Sequence, residues 1–352
     1  MKKLVVLILS MALVLVLSGC GGTSTNAQKQ GSSTETVKPI VLKYAFVSPA
    51  STFPAKQMAH WKEELEKRTN GQVKVDLFLG GALLNNQNMY DGVRDGVADI
   101  GLSATTYEPG RFPLLGISDL PSGYPNAAVA SQVVYDLVKE YPPEAFKDYK
   151  VITAFATEPA YMMVKKPVSS LADLKGRKIR ISGSLTPTLK ELGADALGMP
   201  MPEVPEALQT GVIEGMVSSR EVLQDMKLAE TLKYYTDYPL AVTTFAAVMN
   251  KGVWDSLPSN VQKVIDELAT EMPKWTGDYL DNHVNEALAW SKKEYGLQVT
   301  TLSQEEKDTW NKKLRSVQTS YVSGLKAKGL PAEQYEKRLY ELIKQYSAKE
   351  AK

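Results

Sequence analysis

Among the residues able to hold or transform a solute, Arg180 is the most unusual. It lies in LKGRKIRISG (174–183), which carries four cations in ten residues. Ile179 and Ile181 alternate with Lys178, Arg180 and Ser182, the period-two pattern of a strand with one apolar face. Arg180 is therefore aimed away from the core, and its planar fork of donors suits a carboxylate. Lys175, Arg177 and Lys178 read as solvated or edge charges.

Groups for catalysis are sparse. The chain has two histidines, His60 and His283, and neither stands in a metal-ligating spacing such as HxxxH. There is no Gly-x-Ser-x-Gly elbow, Gly-x-Gly-x-x-Gly turn or phosphate-binding loop. Gly80-Gly81 in FLGGALL reads as a turn, and nothing marks a pair of carboxylates for acid–base work. No enzymatic activity, cofactor or metal is expected. A formal net charge of +1 leaves no field to attract nucleic acid.

Strands alternating with helices must position Arg180. PIVLKYAF (39–46) reads as a first strand, and the next segment as a helix with Met58, Trp61 and Leu65 on one face and Asn70-Gly71 as its stop. QVKVDLF, a short helix in NNQNMYDGVRDG and the strand VADIGLS follow. After residue 150 the same grammar returns, with extended KVITAFA and AYMMVKK, the strand RKIRISG, a helix in SLTPTLKELGA, and VPEALQTGVIEGMVSS as a helix running into a strand. Such alternation implies crossover connections and a mostly parallel sheet. YDGVRDGVADIGLS and PEALQTGVIEGMVSS are locally alike, which suggests two related α/β lobes, with Gly96 and Gly211 in left-handed positions closing their helices. Beyond residue 259 the pattern is helical to the end, with a kink or break expected at Pro273.

The N-terminus reads as an export signal over residues 1–19: Lys2 and Lys3, an apolar run from Leu4 to Leu17, then Ser18 and Gly19. The run is shorter than the roughly 20 apolar residues a bilayer span requires. LSGC resembles a bacterial lipobox, and Cys20 is the only cysteine of the chain, so a lipid-modified mature N-terminus is expected and an internal disulfide is impossible. Residues 20–38, rich in Gly, Ser and Thr, read as a flexible tether. The folded part is expected outside the cytoplasmic membrane and anchored to its outer face.

Between about Val41 and Ala269 the chain resembles the DctP-type solute-binding proteins of tripartite ATP-independent periplasmic (TRAP) transporters. YDGVRDGVADIG, YEPGRFPLLGISDLPSGYP, SLADLKGRKIRISGS, LGADALGMPMPEVPEALQTGVIEG and FAAVMNKGVWDSLPSNVQKVID occur in that family's order. The resemblance implies a two-lobed periplasmic-binding-protein-like α/β fold with a long interlobe helix and a helical C-terminal region. Lobe I would comprise 39–157 plus about 246–285, lobe II 158–245 plus about 286–330, with a C-terminal helix over 331–352. It implies capture of a small organic acid between the lobes and delivery to TRAP membrane permease subunits. A module of a sensor or ABC-type transporter, or an extracytoplasmic enzyme on a similar scaffold, are the alternatives.

In that family the arginine of the K-I-R strand holds the ligand carboxylate, which implies that role for Arg180. Many members carry an asparagine in a D-G-x-E-N-P segment. Here it reads EGMVSSREV, so Ser218 or Ser219 would replace the amide, and Arg220 is either a second anion anchor or a surface charge. The second arginine of sialic-acid-type members is replaced by the neighbourhood of Glu158 and Tyr161, which argues against a sialic acid. Phe46, Phe53, Tyr107, Tyr161, Met201 and Phe245 complete the candidates. As a set they favour an apolar, aromatic or 2-oxo monocarboxylate over a sugar acid.

Overall fold

The computed structural model describes residues 38–350. The export signal, Cys20 and the tether up to residue 37 lie outside the described residues. The chain enters a first sheet with β1 (Ile40–Phe46), followed by α1 (Phe53–Arg68), β2 (Val73–Phe78), α2 (Met89–Arg94) and β3 (Ile100–Ala104). In α1, Met58, Trp61 and Leu65 are fully buried, as their spacing predicts. The helix stops where Asn70 and Gly71 turn to φ of 51° and 74°. α3 (Leu115–Asp119), α4 (Ala127–Glu140) and β4 (Tyr149–Ala156) complete this passage.

A second sheet then forms from β5 (Tyr161–Val164), β6 (Lys178–Ile181), α5 (Thr186–Glu191), β7 (Asp195–Gly198), α6 (Val204–Gln209), β8 (Gly215–Ser218), α7 (Val222–Asp225) and β9 (Tyr234–Thr236). The chain returns to the first sheet with β10 (Thr244–Asn250), and α8 (Lys251–Ser256) leads into α9 (Ser259–Tyr295). β11 (Gln298–Thr300) adds an edge to the second sheet before α10 (Gln304–Ala327) and α11 (Ala332–Glu350).

The strand orders are β2-β1-β3-β10-β4 and β11-β9-β5-β8-β6-β7. Five ladders are parallel, those of β1 with β2 and β3, β6 with β7 and β8, and β9 with β11. The antiparallel ladders all involve β5 or β10, the strands by which the chain changes sheets, so both sheets are mixed. The two crossing segments lie side by side: Thr157 N–H donates to the Thr243 carbonyl at 3.1 Å, and Leu240 N–H to the Ala160 carbonyl at 2.9 Å. Buried Asp119 braces them by accepting from Thr244 N–H and Oγ1 at 2.9 and 2.6 Å. Burial outweighs those bonds and pushes its carboxyl up to about 7.

No break occurs at Pro273. α9 runs through it for 37 residues, with the proline ring buried. The helix packs against α4 and β4 and, further along, against α7, so tertiary contacts hold a helix that propensity alone would interrupt. Gly277 is where it meets α4: a Cβ there would lie 2.4 Å from Ala128 Cα. Gly96 and Gly211 have φ of 78° and 75°, the left-handed closures expected of them.

Candidate functional site

Arg180 sits in the middle of β6, paired with Leu197 of β7 and Met216 of β8. Ile179 and Ile181 fill the core on one face, as the alternation predicts. The other face is roofed rather than open, and Arg180 is only 2% exposed. Its Nε donates to the Met199 carbonyl at 2.8 Å and its Nη1 to the Val217 carbonyl at 3.3 Å, with Nη2 3.5 Å from Ser182 Oγ. Burial draws the guanidinium down from its ordinary range, and the nearby Tyr107 phenol and, further off, Glu203 pull the other way. Among the described residues no carboxylate lies within 4.0 Å of it. Desolvating a charge costs several kcal/mol unless an opposite charge and hydrogen bonds compensate. Carbonyl oxygens supply the second and nothing supplies the first.

The guanidinium faces a cavity of about 440 Å³, partly continuous with solvent, between the carboxyl end of β6 and elements of the first sheet. Phe46 ends β1, while Thr52, Phe53 and Pro54 open α1. Phe245 stands at the start of β10, stacked on Phe155 at 5.5 Å and edge-on to Phe46 and Phe53 at 6.4 and 5.8 Å. This aromatic wall is held by packing within the first sheet. Tyr107, just after β3, reaches across and accepts from Met201 N–H at 3.1 Å. At the same seam Gly183 lies so close to the first-sheet loop that a Cβ would stand 2.9 Å from the Thr106 carbonyl oxygen. The sides of the cleft therefore touch.

Of the residues singled out in the sequence, Phe46, Phe53, Tyr107, Arg180, Met201, Ser218 and Phe245 line this cavity. Glu158, Tyr161, Ser219 and Arg220 do not. Arg220 is neither a free anion anchor nor a solvated charge: its Nε and Nη2 grip Glu158 at 3.1 and 2.9 Å, and its guanidinium lies 3.8 Å over the Tyr161 ring. Burial opposes its charge, but the Glu158 bonds more than offset that and raise its pKa. The three residues satisfy one another, which removes them from the cavity wall. Ser219 is turned inward onto Glu221 Oε2.

Sequence reasoning missed Ser48, Thr52, Pro54, Thr157, Ser182, Glu221, Val222 and Thr243. Thr157 and Thr243 lie on the paired crossing segments, and only the long-range pairing brings them to the cleft. Glu221 follows Arg220 in the sequence, with no local pattern that marks it as buried. It is 2% exposed, with its carboxyl pushed up to about 8 by burial against the opposing pull of the Ser219 bond.

Residues 44–323 match the family described as DctP, bacterial extracellular solute-binding protein, family 7. A TRAP periplasmic solute-binding protein from Desulfovibrio salexigens is 42% identical, with 87% of this chain and 96% of that one covered and a TM-score of 0.78. A TRAP solute-binding protein from an unidentified marine microbe, specific for aromatic acids and bound to metahydroxyphenylacetate, is 31% identical, with 87% and 99% covered and a TM-score of 0.83. The C4-dicarboxylate-binding periplasmic protein DctP of Rhodobacter capsulatus is 24% identical over 321 residues, 84% of this chain and 90% of that protein. The neighbours are binding proteins rather than enzymes, in keeping with the lack of a catalytic constellation in the sequence. With a matched region spanning both sheets and a cleft between them built around a buried cation, the chain belongs to the DctP family of extracellular solute-binding proteins, the solute receptors of TRAP transporters.

Proposed function

We propose that this receptor captures a small aromatic or 2-oxo monocarboxylate and presents it to a TRAP permease, with Arg180 holding the carboxylate. One observation carries the reading: Arg180 is a buried guanidinium on the cavity wall with no carboxylate partner among the described residues. A ligand carboxylate supplies the missing charge through two parallel charge-assisted bonds, each worth about 1.5–3 kcal/mol. The wall of Phe46, Phe53 and Phe245 supports a flat apolar body, which buries area without demanding polar partners. The likeness in fold and sequence to the aromatic-acid-specific marine protein supports the same class.

The two sheets with their helices serve as lobes I and II in this reading, and the crossing segments near Thr157 and Thr243 as the hinge between them. Ligand contacts made by both lobes favour the closed state. Cys20 carries the lipid that keeps the receptor at the outer face of the membrane. Replacing Cys20 with alanine is expected to release the protein from the membrane fraction in a fractionation assay, and retention would contradict the anchor.

The test is isothermal titration with benzoate, phenylacetate, pyruvate and succinate. At least one monocarboxylate is expected to bind in the micromolar range, about 8 kcal/mol, and Arg180→Ala to abolish that binding. Binding of succinate alone, or binding that survives Arg180→Ala, would overturn the reading.

A further inference from the structure

The cleft holds a second uncompensated group, Glu221. Three carboxylates meet around α7, and two of them are accounted for: Glu158 by Arg220, and Asp225 by His283 Nε2 at 2.7 Å. Glu221, buried on the cavity wall, has no cation within 4.0 Å among the described residues; the Ser219 hydroxyl on Oε2 and its own backbone N–H are the groups that bond its carboxyl. Its Oε1 makes no hydrogen bond with any other described side chain. One unpaired cation and one unpaired acid thus line the same cavity without meeting each other.

Resting on the monocarboxylate reading above, we infer that Glu221 is a specificity-determining residue that stays protonated and hydrogen-bonds a neutral oxygen of the ligand, selecting acids that carry a hydroxyl or keto group. A carboxyl kept neutral can donate or accept, whereas an ionised one would repel the ligand and stand buried without a counter-charge. Burial is the largest influence on its ionisation, and the groups that face it act in both directions, the two neighbouring acids favouring the neutral form and the Ser219 bond, the backbone N–H and protonated His283 the ionised one. Asp225 and Glu158 oppose its ionisation, Arg220 is spent on Glu158, and Tyr279 and His283 of α9 are the remaining titratable neighbours, His283 being tied to Asp225. Its carboxyl, pushed up to about 8, is protonated at neutral pH.

The experiment titrates the full chain with two matched pairs, benzoate with 3-hydroxybenzoate and phenylacetate with mandelate, in wild type, Glu221→Gln and Glu221→Leu. Wild type is expected to prefer a hydroxylated member by about tenfold, the worth of one good hydrogen bond. Glu221→Gln retains much of that preference because an amide also donates and accepts, and Glu221→Leu erases it. Wild-type affinity falls as pH rises through about 8, where Glu221 ionises, and Glu221→Gln stays flat there. A preference unchanged in Glu221→Leu, or the same pH profile in Glu221→Gln and wild type, overturns the Glu221 assignment while leaving the monocarboxylate reading intact. If neither these acids nor pyruvate binds wild type, or binding survives Arg180→Ala, that underlying reading fails and the inference falls with it; if pyruvate alone binds, its preference over propionate is what Glu221→Leu must erase. Glu221→Gln, close in shape to the native residue, keeps the test decisive should Glu221→Leu not fold.

Discussion

At the residue scale the cleft is defined by two buried ionisable groups that no opposite charge meets among the described residues. Arg180 and Glu221 are both only 2% exposed, and the neighbouring cation Arg220 is already consumed by Glu158. Arg180→Lys is expected to weaken binding at least about tenfold, because an ammonium keeps the charge but loses the two-pronged geometry. Titration against the same acid checks it, and unchanged affinity would show that charge alone suffices. Buried acids also set the pH dependence of stability. Asp119 rises from 3.8 to about 7 and Glu221 from 4.5 to about 8, so between those limits the folded state binds more protons than the unfolded one. Stability therefore falls as pH rises across that window. His283 acts in the same sense, since its raised pKa stabilises the fold below the ordinary value and that contribution is lost on deprotonation. The melting temperature of the unliganded protein should be higher at pH 6 than at pH 8.5, with a smaller difference in Glu221→Gln. A higher value at pH 8.5 would contradict these assignments.

At the element scale, local pattern was highly legible. The face of α1, its Asn70-Gly71 stop, the left-handed Gly96 and Gly211 and the strand around Arg180 all follow from spacing and turn chemistry. Pro273 did not break its helix, because packing against α4, β4 and α7 decides there and local preference does not. The cleft residues divide by the same logic. Arg180, Tyr107 and Phe46 stand on or just after strands, where alternation exposes them to a reader of sequence. Thr157 and Thr243 reach the cavity only through pairing of segments 86 residues apart. Arg220 and Glu158, 62 residues apart, satisfy each other in a way no local pattern announces. Gly183 links this scale to function, since the seam between the sheets closes over its missing side chain. Gly183→Ala is expected to weaken ligand affinity by about tenfold, or about 1.4 kcal/mol, because the added Cβ, 2.9 Å from the Thr106 carbonyl oxygen, opposes the closed seam. Equal affinity would show that the seam does not close further on binding.

At the scale of the whole molecule, two mixed sheets share two crossing segments, the long helix α9 and a helical C-terminal layer that packs on both parts of the core. That arrangement places the aromatic wall on one side of the cleft and the guanidinium on the other, so a ligand bridging them joins both sides. The mixed character of the sheets follows from this traffic, because each strand that follows a crossing runs against its neighbours. In the proposed function an organic carboxylate completes the charge of Arg180. A crystal structure of the receptor with the acid that co-purifies with it tests this most directly. The expected result is a carboxylate bound in parallel by two nitrogens of Arg180, with the ligand's apolar body against Phe46, Phe53 and Phe245. A ligand whose carboxylate lies elsewhere, with Arg180 keeping only its protein partners, would contradict it.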